Sequence, residues 1–185
     1  MSSNPGKIFE QQFCKSVPDY AWVHRLTDPP QSFNQDEAKS KGLRFSLKNP
    51  FDYILWDSKH WLFYALELKT VKGKSISFER TKEEKGEIHF HQIEGLKEVH
   101  TYAGTVSGII VEFRQLEKTV FVDIAEFCRL MDIIPKKSFN YNDLDNYDIL
   151  YTVIEQTKAR TRYTYGIDEF LSMKKKEVGG IESEV

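Results

Sequence analysis

Two apolar runs, Phe51–Trp56 and Trp61–Lys69, stand on either side of Asp57-Ser58-Lys59-His60. Both are rich in β-branched and aromatic residues, so the middle of the chain reads as a β-hairpin. Before it, Phe9, Phe13 and Val17 recur at a spacing of four and predict a helix over Gly6–Ser16, stopped by Pro18. Tyr20–Leu26 reads as a strand. After the hairpin, Ile93, Leu96, His100 and Ala103 share one face of a helix over His91–Ala103, with Gly104 at its stop. Val106–Phe113 and Thr119–Ile124 read as buried strands, followed by a short helix around Ala125–Met131. Ile149–Gln156 and Arg160–Tyr165 are expected to form another strand pair, ahead of a helix near Asp168–Lys176. The order α-β-β-β-α-β points to one α/β or α+β domain with a mixed sheet, spanning 1–176, with 177–185 a frayed tail. Two stretches lack periodicity. Thr27–Lys48 is long for a connection inside a compact domain, hence a functional excursion or disorder. Thr70–Glu87 is polar and basic, and a mobile loop is expected there.

Composition narrows the function classes. No run approaches the ~18 apolar residues of a membrane span, and Met1–Gly6 is too polar to open a secretory signal. Cys14 and Cys128 are far apart with no CxxC, which excludes a disulfide framework and a zinc ribbon and suits a reducing, cytoplasmic setting. A net charge of −2 argues at first against a nucleic-acid partner. The charge is segregated, however: Asn140–Gln156 is acidic, whereas Asp36–Lys48, Lys69–Lys85 and Lys158–Lys176 are net basic. Phosphate binding needs a patch rather than a total. Lys39, Lys41 and Arg44 in the first basic block and Lys72 and Lys74 in the second are candidate DNA contacts. The plainer reading of each block is a solvated loop.

The hairpin carries the chemistry. With the turn centred between Ser58 and Lys59, Asp52 faces Ala65, and Glu67 lies one diagonal step away. Period-two alternation then puts Asp52, Glu67 and Lys69 on one face, while Leu66 and Leu68 point into the core. Mg²⁺ takes oxygen ligands, commonly one or two carboxylates with waters and substrate phosphate. Asp52, Glu67 and the Leu68 carbonyl could supply such ligands, with Lys69 beside a metal-bound water. The pattern fits metal-assisted phosphodiester hydrolysis; the rival is a surface ion pair at a strand end. A second Glu-x-Lys, Glu83-Glu84-Lys85, lies in a polar loop with no strand around it.

Asn49-Pro50-Phe51-Asp52-Tyr53, Ala65-Leu66-Glu67-Leu68-Lys69-Thr70 and His89-Phe90-His91-Gln92-Ile93-Glu94 resemble, in that order, the motifs of RecU-type Holliday-junction resolvases in the PD-(D/E)xK nuclease superfamily. Gly6-Lys7-Ile8-Phe9-Glu10 is similar to that family's first-helix opening. His24-Arg25-Leu26-Thr27-Asp28-Pro29-Pro30 is similar to the basic, proline-containing lead into its stalk. The likeness runs from about Gly6 to Phe113. It implies a restriction-endonuclease-like domain, a central mixed sheet flanked by helices, with 28–48 as a protruding stalk. It also implies a Mg²⁺-dependent homodimer (Mn²⁺ being an alternative ion) that cuts four-way DNA junctions. Asp52 and Glu67 would be metal ligands with Leu68, and Lys69 the catalytic lysine. Gln92 would contact the metal water or scissile phosphate, Glu10 would complete the acidic cluster, and Arg25 would meet DNA. Phe51 departs from the family's usual threonine and supplies no hydroxyl.

Two rival functions stay open: a PD-(D/E)xK nuclease of a restriction or defence type, and a DNA-binding module that does not cleave. Among smaller signals, alternating His89 and His91 could bind zinc on a strand, although a helix start is the expected form. Cys14 and Cys128 read as core. Trp22, Trp56, Phe63 and Tyr64 lie on strands and also read as core. Tyr163 and Tyr165, alternating with Arg160 and Arg162, are a weak candidate for stacking or backbone contact.

Overall fold

The computed structural model describes residues 4–27, 48–160 and 162–181. Helix α1 (Pro5–Ser16) starts where Asn4 accepts the Gly6 N–H at 3.0 Å, and proline occupies its first position. It ends because Val17 precedes Pro18 and is held extended. Strands β1 (Ala21–Arg25), β2 (Tyr53–Asp57) and β3 (Leu62–Val71) run antiparallel in turn. Strand β5 (Thr105–Phe113) then pairs parallel with β3, and β6 (Lys118–Asp123) and β8 (Thr152–Ile154) complete a six-stranded sheet in the order β1-β2-β3-β5-β6-β8. This is the mixed α/β architecture with helices on both faces that the sequence led us to expect.

Both faces of the central strands are apolar, as befits a strand with a parallel neighbour and helices above and below. On one face Leu66, Leu68 and Ile110 meet Phe9 and Phe13 of α1 and Phe170 and Leu171 of α5 (Ile167–Ile181). On the other, Ala65, Ile109 and Val111 meet Ile93 and Leu96 of α2 (Phe90–His100) and Phe127 and Leu130 of α3 (Ile124–Ile133). Glu67 therefore lies on a covered face in mid-sheet, which removes the rival reading of a surface ion pair at a strand end. Among the described residues no helix is long and apolar enough to cross a membrane.

The stretch expected to be a mobile loop is built into the core instead. Strand β4 (Ser75–Ser77) pairs with β7 (Ser138–Asn140), and Ile76, Phe78 and Ile88 are fully buried. Arg80 within it donates to the carbonyls of Met131, Ile134 and Lys136, closing the C-terminal end of α3. That guanidinium is a helix cap rather than a phosphate contact. The acidic block is also partly structural: Asp143 of α4 (Tyr141–Asn146) is buried, capped by Asn140 and paired with Lys136 at 2.7 Å.

The expected last strand pair separates. β8 joins the main sheet, while β9 (Gln156–Ala159) and β10 (Arg162–Tyr165) form their own hairpin. Tyr165 is buried against Phe9, and its hydroxyl donates to Glu112 at 2.9 Å, so it is not a stacking surface. Tyr163 donates to Glu117. Burial pushes the Cys14 and Cys128 thiols up from their ordinary value, consistent with packing rather than nucleophilic use. The proposed stalk, with Lys39, Lys41 and Arg44, lies outside the described residues apart from Lys48.

Candidate active site

Strand parity sets Asp52, Glu67 and Lys69 on one face, but the register differs from the sequence reading. Asp57 still pairs with Leu62, so the loop is Ser58–Trp61 and its centre falls between Lys59 and His60. Asp57 holds this loop by accepting the Lys59 and His60 N–H groups at 3.1 and 3.0 Å and by bonding the His60 ring at 2.7 Å. Trp61 closes it with φ 60°, a left-handed conformation rare for a bulky residue. Moving the centre by one residue shifts the pairing by two and keeps every face. With Tyr53 opposite Leu66, one further step sets Asp52 across from Glu67 rather than diagonal to it.

Glu67 is fully buried. Its Oε1 accepts from Lys69 Nζ at 2.7 Å and from Gln92 Nε2 at 2.6 Å. Its Oε2 is buried with no hydrogen-bond partner. Burial pushes the Glu67 carboxyl up to about 8; Lys69 opposes the shift and the Asp52 charge adds to it. A buried carboxylate oxygen without a donor, beside a second carboxylate, is the arrangement a divalent cation satisfies. Among the described residues no group of three His, Cys, Asp or Glu side chains could hold a metal. The donors the sequence suggested are two carboxylates, Asp52 and Glu67, with the Leu68 carbonyl. That suits an ion which keeps several waters, and fits Mg²⁺ better than an all-protein zinc cage.

Gln92 reaches Glu67 from the first turn of α2, where its own Oε1 accepts the His89 N–H at 2.9 Å. Its two ends thus fasten the start of the helix to the carboxylate. Glu79, which the sequence reading passed over, does the rest of the capping. It accepts the Phe90 N–H at 2.8 Å, the Gly86 N–H at 3.1 Å and the His89 ring at 2.8 Å. Those donors hold its carboxyl below the usual range against the opposing effect of burial. His89 and His91 are stacked ring on ring at this helix start, so the zinc reading does not hold here.

The helix is set close by Gly95. A Cβ there would lie 2.4 Å from the Pro50 Cβ and 2.7 Å from the Pro50 carbonyl oxygen. Gly95→Ala is therefore expected to force Pro50, two residues before Asp52, away from α2. The expected loss is about 1–3 kcal/mol of stability, read from urea midpoints, together with a shorter reach from Gln92 to Glu67. Unchanged midpoints would show that the helix has room to move.

Glu10 is not brought to the pair. It accepts from the Tyr53 hydroxyl at 2.9 Å and meets Arg25 at 3.1 Å on the opposite face of the sheet, because Tyr53 and Arg25 alternate out of phase with Asp52. The acidic cluster is thus two carboxylates, not three, and Arg25 is engaged by Glu10. Lys72 and Lys74 are exposed at the turn between β3 and β4. A groove of ≈ 680 Å³ runs beside the outer side of α2, lined by Lys48, Pro50, Lys82, His91, Glu94 and Lys97 among others.

No protein-family model matches the chain. It is 30% identical over 180 residues to the SPβ prophage-derived uncharacterized protein YotM of Bacillus subtilis, an alignment covering 91% of this chain and 85% of that protein. Among solved structures, Hjc of Archaeoglobus fulgidus, a Holliday junction resolvase, superposes with a TM-score of 0.45 and 9% identity. The superposition covers 76% of this chain and 91% of Hjc.

Proposed function

We propose, for a chain that belongs to the family of the SPβ prophage-derived protein YotM, the activity of a metal-dependent endodeoxyribonuclease that resolves four-way DNA junctions as a cytoplasmic homodimer. The observation that carries this reading is the buried, unpartnered Oε2 of Glu67 beside Asp52, with Lys69 and Gln92 fixed on the other oxygen. Asp52, Glu67 and the Leu68 carbonyl would hold Mg²⁺ or Mn²⁺, which when bound would polarise a phosphate and acidify a water. Lys69 keeps its ammonium at the carboxylate, where it offsets negative charge gathering on the attacked phosphorus. Gln92 fixes the rotamer of Glu67 and leaves the start of α2 facing the same spot. Glu10 steadies β1 and β2 through Arg25 and Tyr53 and is a positioning residue in this reading.

The test is cleavage of a labelled immobile junction and of a linear duplex, with Mg²⁺ or with EDTA. Symmetric cuts in the junction alone support the resolvase. Equal cutting of both substrates supports a nuclease of restriction or defence type. Binding without cleavage under any metal supports the non-cleaving module. Phosphate contacts predict a further result: changing Lys72 and Lys74 together to Ala lowers the log–log salt slope of junction binding by about 2. An unchanged slope would remove both lysines from the interface.

A further inference from the structure

All three tryptophans of the chain, Trp22, Trp56 and Trp61, gather at one corner of the sheet, where a strand pattern alone reads as core. Trp22 and Trp56 are directly paired across β1 and β2, and the Trp56 and Trp61 rings lie 6.0 Å apart, edge to face. His24 stacks flat on Trp22 at 5.3 Å with 6° between the planes. Trp22 is 57% exposed and Trp61 75%. The other large exposed hydrophobics among the described residues are scattered over different elements. Two exposed tryptophans on either side of a third make a patch rather than scattered single side chains, and such a patch marks a contact surface.

The strip shares its face with the carboxylates. Trp22 pairs with Trp56 and Trp56 with Phe63, and Phe63, Ala65, Glu67 and Lys69 alternate onto one side of β3. Glu67 lies four positions along β3 from Phe63, so the strip starts about 13 Å from the carboxylate pair. That is about four nucleotides of stacked strand at about 3.4 Å each.

We infer that Trp22, Trp56 and Trp61 form a stacking platform for unpaired nucleobases of a DNA strand whose backbone continues to Asp52 and Glu67. The inference rests on the nuclease reading above for the strand's presence and adds what that strand must offer, namely bases free of a partner. Flat rings accept any base through its π-face. None of the same-face positions Trp22, His24, Ile54, Trp56 and Phe63 carries a negative charge to repel phosphate. The area argues for a strand over a second copy of the chain. Two partly exposed tryptophans offer roughly 300 Å², against about 800 Å² per partner in a stable dimer.

Because every tryptophan lies in the strip, intrinsic fluorescence reports on it alone. The full chain is titrated in EDTA with a mixed-sequence single strand, with a blunt duplex and with an immobile junction, binding being followed separately by anisotropy of labelled DNA. The expected result is strong quenching by the single strand, little by the duplex, and quenching by the junction through base pairs that open at its centre on binding. Trp22→Leu is expected to weaken single-strand binding about tenfold, with Trp22→Phe restoring most of it, because Leu is apolar but cannot stack. Binding without quenching, or equal affinity of the Leu and Phe variants, overturns the platform. A concentration-dependent blue shift without DNA, matched by dimers in sedimentation that Trp61→Leu abolishes, overturns it in favour of a self-interface. Quenching without Mg²⁺-dependent cleavage would leave the platform and remove the nuclease; cleavage without quenching would do the reverse.

Discussion

Glu67→Gln is expected to lower Mg²⁺-dependent junction cleavage about a thousandfold while raising the melting temperature of the metal-free protein above about pH 8, where the glutamate has lost its proton. Both effects come from one oxygen. In the native chain Oε2 is buried without a donor and faces the Asp52 carboxylate, a cost that only a bound cation or a proton relieves. A glutamine keeps Oε1 for Lys69 and Gln92 and turns an amide toward Asp52, replacing repulsion with a hydrogen bond. Junction affinity in EDTA is expected to stay within about twofold, since Glu67 is buried and away from the exposed lysines. Circular dichroism, thermal melts and a gel cleavage assay on one preparation check all three. A variant that melts lower and also fails to cleave would make Glu67 a structural residue of the sheet.

The second large effect is a coupling between pH and metal. The folded carboxyl of Glu67 titrates at about 8, above its ordinary value of 4.5. A raised value means that the folded chain holds a proton which the unfolded chain has lost. The associated stability is fully present below about 4.5 and drains away as pH climbs to about 8. Metal competes for the same oxygen. The affinity for Mg²⁺ is therefore expected to weaken about tenfold for each pH unit below 8, and the melting temperature gained on adding Mg²⁺ to be larger at pH 8.5 than at pH 6. Calorimetric titration at four pH values measures it. An affinity independent of pH between 6 and 8 would show that the ion does not bind through Glu67.

The parts of the site legible in the sequence are those fixed by parity. Alternation along β3 assigns Glu67 and Lys69 to one face and Leu66 and Leu68 to the other whatever the turn does. The register was not legible, because it depends on Asp57 capping the loop and on Trp61 entering left-handed space, and neither residue advertises that role. Gln92 could be singled out only through a family likeness, since helix periodicity says which residues are buried and not what they touch. Glu10 was misplaced for a related reason: its position on α1 is readable, but which face of the sheet α1 covers is a tertiary fact. The tryptophans show the limit from the other side. A strand pattern gives a residue its face, while its burial depends on whether a helix lies above, and over Trp22 the surface stays open. The stretch from Thr70 to Glu87 hid its structure because Ile76, Phe78 and Ile88 are isolated apolar residues among polar ones: Ile76 and Phe78 are made core by Phe139 and Phe127 far along the chain, and Ile88 bridges back to Phe78.

The parallel pairing of β3 with β5 has a kinetic consequence. The β2–β3 hairpin closes over a four-residue loop and needs only local contacts, which form within microseconds. β5 and the first turn of α2 reach Glu67 across a much longer crossover, a slower event in chains of this topology. A chain at the hairpin stage therefore holds Asp52 and Glu67 together in water, where their repulsion is weak. The desolvation of Glu67 falls on the late docking of β5 and α2. Interactions completed after the transition state govern the rate of unfolding far more than the rate of folding. Alkaline solution is thus expected to leave the refolding arm of a chevron nearly unmoved and to steepen escape from the native state, while a bound divalent ion lengthens the native lifetime without hastening its formation.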